Sequence, residues 1–268
     1  MKKIILIETS TALCSVALCE DGKTLAYRES NALKAHASLT AVFVQEVLAE
    51  SGCTIADCDA ICVSMGPGSY TGLRVGVSTA KGLCFGAKKP MLAVGTLDTL
   101  VAQALEIMPD CSGQPWKHIV PMIDARRMEV YSAVFSPVTD STPDTASYGN
   151  SAPSPQSATG PDSTPAKGTI QALGWMQTTE TEPKIIDGDS FAELLKDGPV
   201  LFIGDGAGKC EGTITSPNAR FMQCCPKASS MAALAAAELT LGHTRDVAYF
   251  EPFYLKEFQV TTSKKKLF

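Results

Sequence analysis

Apolar residues along this chain gather in short runs, each closed by a polar or glycine-rich turn. Residues 3–8 (Lys3-Ile4-Ile5-Leu6-Ile7-Glu8) read as a buried strand that stops abruptly at the polar turn Glu8-Thr9-Ser10-Thr11. A strand over 13–19, a hairpin at Glu20-Asp21-Gly22 and a strand over 24–28 follow. The period then changes. Leu39, Val42, Phe43 and Val47, widened by Val44 and Leu48, form the apolar stripe of a helix opened by His36 and running to 51. A strand over 60–63, a helix over 71–85, a strand over 90–94 and a helix over 96–108 complete a first lobe and lead out of it. From His118 the pattern resumes with a strand over 119–123, a turn at Asp124-Ala125-Arg126-Arg127 and an alternating strand over 129–135. A short helix over 190–195, a strand over 200–203 and an alanine-rich helix over 229–241 come later, and Pro252-Phe253 begins an irregular end that packs back over the body. Strands interleaved with helices in both halves predict an α/β protein of mixed sheets with helices; the length suits one large domain or two small lobes, which would divide as 1–98 and 99–268.

The stretch Ser64-Met65-Gly66-Pro67-Gly68-Ser69-Tyr70-Thr71-Gly72 joins the 60–63 strand to its helix. Proline fixes φ and the glycines accept dihedrals closed to side chains, so Gly66-Pro67-Gly68 is a turn, and Ser69 or Thr71 can cap the helix. A strand, a glycine turn and a helix start aim N–H groups at one point, where an anion can sit. A tight corner without a ligand explains the residues equally well. The spacing is neither the dinucleotide fingerprint nor a P-loop, and Pro67 two residues before Ser69 rules out a nucleophile elbow. Within the helix, Gly72, Gly76, Ala80 and Cys84 recur every fourth residue, and Ser78, Gly82 and Gly86 form a second small row. Each interior glycine costs roughly 1 kcal/mol relative to alanine. Such a helix needs tertiary compensation, from a strand or helix of the same chain or from a helix of a partner.

Composition narrows the classes. The 268 residues are 45% hydrophobic with a mean hydropathy of +0.07, enough for a sizeable core. The opening apolar run stops at Glu8, too short for a signal peptide, and no segment approaches a membrane span. Ten cysteines are scattered without a C-x-x-C, and with only His36, His118 and His243 available no zinc spacing appears. The chain reads as cytoplasmic and reduced. A net charge of −5 argues against nucleic-acid binding by the chain alone, and Lys264-Lys265-Lys266 reads as a solvated terminus. No Ser-His-Asp constellation shows in the spacing. Asp124 reads as a turn carboxylate paired with Arg126 or Arg127, and Gly204-Asp205-Gly206-Ala207-Gly208-Lys209 as a second turn. Residues 137–168 are rich in Ser, Thr, Pro, Gly, Asp and Ala, with Asp140-Ser141-Thr142-Pro143 repeated as Asp162-Ser163-Thr164-Pro165; this composition predicts a disordered or mobile surface insertion.

Residues 66–76 with Lys81-Gly82-Leu83, the turn Glu8-Thr9-Ser10-Thr11, the segment Asp124-Ala125-Arg126-Arg127-Met128-Glu129-Val130-Tyr131 and the ending Pro252-Phe253-Tyr254-Leu255-Lys256 together resemble the TsaB (YeaZ) family. The resemblance implies a two-lobed actin-like ATPase (ASKHA) fold, which the opening three-stranded pattern followed by a helix also suits. It implies a non-catalytic subunit that supports a catalytic, TsaD-type transferase paralogue in forming N6-threonylcarbamoyladenosine at position 37 of tRNAs reading ANN codons. A TsaE-type ATPase joins through the complex, tRNA is met only through it, and the subunit alone forms a homodimer. No membrane partner is implied. In the fold, the turn at Glu8, Thr9 and Ser10 with Gly66 and Gly68 is where a nucleotide's phosphates would lie; the family more usually has Asp where this chain has Glu8. ATP or ADP is expected only at the interface with the partner. Catalytic relatives hold a metal with two histidines at i, i+4; here the pair is His36 and Thr40, so neither a metal nor a catalytic residue is assigned. The partner surface is expected on the first two helices, at His36, Leu39, Phe43, Gly72, Leu73, Val75, Gly76, Thr79, Ala80 and Leu83. Two alternatives are an ATP-binding or ATP-hydrolysing enzyme or glycoprotease-like peptidase of the same fold, and a binding module unrelated to tRNA.

Overall fold

The computed structural model describes residues 1–32, 34–107, 116–138 and 170–256. Most of the 137–168 insertion and all of Lys264-Lys265-Lys266 lie outside the described residues.

The first sheet contains β1 (Lys3–Glu8), β2 (Cys14–Glu20), β3 (Lys23–Ser30), β4 (Ala60–Ser64) and β5 (Met91–Val94), in the order β3-β2-β1-β4-β5. β1 pairs antiparallel with β2 and parallel with β4, so it is central, and Ile4 through Ile7 are fully buried. That explains its unbroken apolar run: a strand covered on both faces has no need to alternate. The second sheet contains β6 (His118–Asp124), β7 (Glu129–Ser132), β8 (Phe135–Pro137), β9 (Trp175–Gln177), β10 (Glu182–Ile185), β11 (Val200–Gly204) and β12 (Ala219–Gln223). Its main path is β10-β7-β6-β11-β12, with β8 on β6 and β9 on β8. The same plan therefore appears twice. A first strand lies between an antiparallel neighbour and a parallel one, and in each sheet it ends on an acid, Glu8 or Asp124.

Helices α1 (Ala35–Glu50) and α2 (Tyr70–Ala87) cover one face of the first sheet, packing Phe43, Val44, Val47, Val77, Ala80 and Cys84 on Ile5, Ile7, Ile61 and Val63. The other face meets α3 (Thr96–Ile107) and α5 (Ala232–Leu241), which share one core with Ile119, Ile123, Leu201 and Ile203 of the second sheet. The far face of the second sheet packs Val120, Met122, Val200 and Phe202 near α4 (Ala192–Asp197), whose Leu195 joins them. Because α3 lies between two sheets, nearly all its residues from Thr96 to Ala104 are buried, the mark of a helix without a solvent face.

Three sequence expectations change here. The strand over 129–135 is two strands, because the Val134 N–H leaves the ladder for Thr179 Oγ1 at 2.9 Å and its carbonyl accepts from Thr178 N. β9, β10 and β12 carry too little periodicity to be predicted, and β10 holds Pro183, which only an edge strand tolerates. The helix over 229–241 begins as a 3-10 turn, Ala228–Met231, before α5.

Candidate functional site: the strand ends between the sheets

β1 delivers Glu8, Thr9, Ser10 and Thr11 to a fully buried turn. The glycine loop closes directly on it. The Ser69 N–H donates to the Ser10 carbonyl at 2.6 Å, and Thr9 Oγ1 donates to the Gly72 carbonyl at 2.9 Å. A Cβ at Gly68 would collide with the Ser10 carbonyl, one at Gly72 with the Thr9 carbonyl, and one at Gly76 with Thr9 Oγ1. Ser69 is the cap of α2, accepting from the Gly72 N–H at 3.3 Å; Thr71 is exposed within the helix. The glycine row of α2 thus exists to let the helix start press on the end of β1.

Glu8 is the one acid in this turn. Its Oε1 accepts from the Ser10 N–H at 2.6 Å, while Oε2, Ser10 Oγ and Thr11 Oγ1 are buried without a hydrogen bond of good geometry. Burial pushes the carboxyl up to about 6, opposed in part by Ser10, Ser64 and the Thr9 and Ser10 amides. Ser64 Oγ and Thr96 Oγ1 pair 2.8 Å apart at the end of β4. The corner is closed in part by its own backbone. The helix-start N–H of Ser69 is taken by Ser10, Gly72 N–H by Ser69, and the space above Gly68 by the Ser10 carbonyl. Glu8, Thr9, Ser10, Gly66 and Gly68 are brought together, as a packed corner.

The second sheet repeats the closure. Gly204, at φ +135°, stands against the Met122 carbonyl, and Gly208 N–H donates to Gln223 Oε1 at 2.6 Å. Asp124 does not pair with the guanidinium of Arg126 or Arg127, as expected from sequence. Its carboxylate takes the Lys209 ammonium and the Arg126 backbone N–H, and both arginines are exposed with positive φ. The tight turn points their side chains outward, and Lys209 reaches in from a distant turn, also donating to the Glu129 carbonyl at 2.6 Å. Asp205 accepts from the Asp124 N–H at 2.9 Å, and burial pushes its carboxyl up to about 6.

The ending 252–256 ties the two sheets' ends together. Phe253 N–H donates to the Met65 carbonyl at 2.7 Å, and its own carbonyl fills the space beside Gly66. Tyr254 lies against Tyr70 with ring centroids 4.7 Å apart, and Lys256 pairs with Glu129. Four segments singled out in the sequence for separate reasons therefore meet at one place.

His36 Nε2 is 2.8 Å from the Thr11 carbonyl, which only accepts, so Nε2 carries the proton. Thr40, one turn on, is buried and donates to the His36 carbonyl at 2.6 Å, with Cys14 Sγ at 3.4 Å. Among the described residues no group of three or more His, Cys, Asp or Glu side chains is placed to hold a metal. The residues expected at a partner surface divide. Phe43, Gly72, Leu73, Gly76 and Ala80 are buried inside the chain, and His36, Leu39, Val75, Thr79 and Leu83 are half-buried. The open face of α2 is the other small row: Ser78, Gly82 and Gly86 are exposed, Gly82 and Gly86 with nothing within 4 Å of a Cβ, and Phe85 beside them is 82% exposed. That row was visible in the sequence; which of the two faces inward is decided by the phase of Thr9. A Ser-His-Asp cluster that the spacing did not reveal is assembled elsewhere, from Ser136, His118 and Asp197.

Two sheets of one strand order, each with an acid and a glycine turn at the same end of its first strand, define an α/β protein of the actin-like ATPase fold. Comparison with known proteins agrees. The model of the family TsaD, tRNA N6-adenosine threonylcarbamoyltransferase, matches residues 30–261. The chain belongs to this family, in its TsaB (YeaZ) branch. It is 36% identical over 138 residues to the tRNA threonylcarbamoyladenosine biosynthesis protein TsaB of Escherichia coli K12, covering 50% of this chain and 54% of that one. It is 32% identical over 133 residues to the Bacillus subtilis 168 protein of the same name, covering 49% and 54%. The chain thus spans about half the length of the curated relatives it matches. In fold it is similar to YeaZ from Pseudomonas aeruginosa, with a TM-score of 0.68 at 23% identity over 95% of this chain and all of that one. No described helix is long and apolar enough to cross a membrane.

Proposed function

We propose that this chain is a non-catalytic subunit in the formation of N6-threonylcarbamoyladenosine at position 37 of tRNAs that read ANN codons. It binds a TsaD-type transferase paralogue through the outer faces of α1 and α2 and meets tRNA and a TsaE-type ATPase only through that complex, in the cytoplasm. Alone, the same face pairs two copies. Any ATP or ADP is bound only at the shared interface, with the Ser69 and Gly72 N–H groups of this chain's corner already taken by Ser10 and Ser69.

One observation carries the reading. The corner where this fold gathers ligand donors is packed shut by Thr9 and Ser10, while α2 turns an open row of small residues and the bare Phe85 ring outward. Small residues let a second helix approach closely, and an aromatic at such a face is a common interface anchor. The relatives' names supply the reaction.

The test is capture of the tagged chain from native lysate, with tRNA nucleoside analysis after its depletion. The transferase paralogue co-purifies and threonylcarbamoyladenosine falls. Calorimetry of the isolated chain with ATP and Mg²⁺ shows no tight binding and no turnover. Unchanged tRNA after depletion sinks the assignment, and nucleotide turnover by the chain alone replaces it with an enzyme.

A further inference from the structure

His118, the first residue of β6, sits opposite Ser136 of β8, one step from the Ile119–Phe135 register pair. Its Nδ1 is 2.8 Å from Ser136 Oγ, and its Nε2 is 2.9 Å from Asp197 Oδ2 at the end of α4. The imidazole is buried, Ser136 is half-buried, and the Asp197 carboxylate reaches solvent. The acid sets the direction of these bonds. The hydrogen bond from His118, and after it the Lys117 ammonium 3.8 Å away, hold the Asp197 carboxyl below its ordinary range. An ionised carboxylate only accepts, so Nε2 carries the proton and donates. In the neutral ring Nδ1 is then the acceptor, and the Ser136 hydroxyl must donate to it. Hydroxyl, imidazole and carboxylate stand in the order of a nucleophile, its base and the group that orients the base.

We propose that Ser136, His118 and Asp197 form a nucleophilic site that takes an acyl group from small activated esters. Ser136 Oγ bonds to the carbonyl carbon as its proton passes to His118 Nδ1. The tetrahedral adduct collapses, the bond to the alcohol oxygen breaks, and the alcohol leaves with that proton. Water then adds to the acyl carbon, giving a proton to Nδ1; Ser136 Oγ departs and takes the proton back. Ester and water become acid and alcohol, with no further reactant. Asp197 touches no reacting atom and is a positioning residue. Its exposure weakens its support of the imidazolium, because charge interactions are screened in water, so the acyl group is released slowly and is readily trapped. His118 as a mere tie between β6 and α4 would satisfy the same distances, and reactivity separates the two roles.

The full chain is treated with a fluorophosphonate probe across a pH series, and the labelled peptide is mapped by mass. Ser136 is modified, and the rate rises with pH along a single-proton curve. Ser136→Ala removes the label while circular dichroism and thermal unfolding show the fold intact. Asp197→Asn slows labelling by about tenfold or more, since the imidazole loses the acceptor that fixes its tautomer. p-Nitrophenyl acetate gives a burst of p-nitrophenolate in the wild type and none in Ser136→Ala. Absence of label at Ser136 in the folded chain, or a rate that Asp197→Asn leaves unchanged, overturns the site.

Discussion

Thr9 Oγ1 donates to the Gly72 carbonyl at 2.9 Å and at the same time stands where a side chain at position 76 would begin. One threonine thereby explains two glycines, and it compensates a helix that is intrinsically poor with a close contact on the end of β1.

Gly76→Ala is expected to destabilise the chain by about 1–3 kcal/mol, the usual cost of overpacking. Thr9→Ala removes the oxygen that the new methyl meets. Urea melts of both single variants and the double should therefore show a double-variant loss smaller than the sum. Additive losses would mean that the two positions do not touch.

Gly82 gives the opposite sign on the same helix. Nothing lies within 4 Å of a Cβ there, so Gly82→Ala should raise stability by about 0.5–1 kcal/mol through helix propensity alone. Gly82→Arg and Phe85→Asp should leave unfolding within about 0.5 kcal/mol of wild type or better and abolish co-purification with the transferase paralogue. Retained co-purification would move the docking surface off α2.

Glu8 makes stability depend on pH. Its carboxyl ionises at about 6 folded, against 4.5 in the unfolded chain, so the folded state binds this proton more tightly. The stabilisation is full below pH 4.5, declines as the pH rises to 6 and is gone above it. The span amounts to about 2 kcal/mol. Glu8→Gln should gain on wild type by that much between pH 4 and pH 7 in urea melts. Parallel curves would show that the acid is solvated.

Tyr70 and Tyr254 should couple. A double-variant cycle with Tyr70→Ala and Tyr254→Ala is expected to give a coupling of about 0.5–1.5 kcal/mol, the double loss falling short of the sum of the single losses by that amount. Zero coupling would mean that the two rings do not pack together and that only the Phe253 backbone holds the segment to the glycine loop.

Much of the frame is legible from residue pattern. β1, β4, β11, α1 and α3 follow from apolar runs and stripes whose period states how many faces are covered. The corner is harder. The glycine spacing shows that α2 must meet something closely, yet whether Thr9 or a partner helix fills the row depends on how α2 sits on β1. Asp124 and Lys209 are paired across 85 positions, and nearer arginines offered the sequence a more obvious match. Ser136, His118 and Asp197 come from a strand, another strand and a helix end, so no spacing announces them. The edge strands β10 and β12 are short and half-exposed, and a pattern that buries little writes little into the sequence.

Helix α5 and the Phe253 segment close over a sheet whose strands were all made before residue 95. During translation, the apolar face of that sheet has α3 made next to it but waits for α5, which begins only at Ala232. A nascent chain stalled before α5 therefore presents Ile4, Leu6, Cys62 and Leu92 to whatever binds greasy surfaces at the ribosome exit, and the native state becomes reachable only late in synthesis.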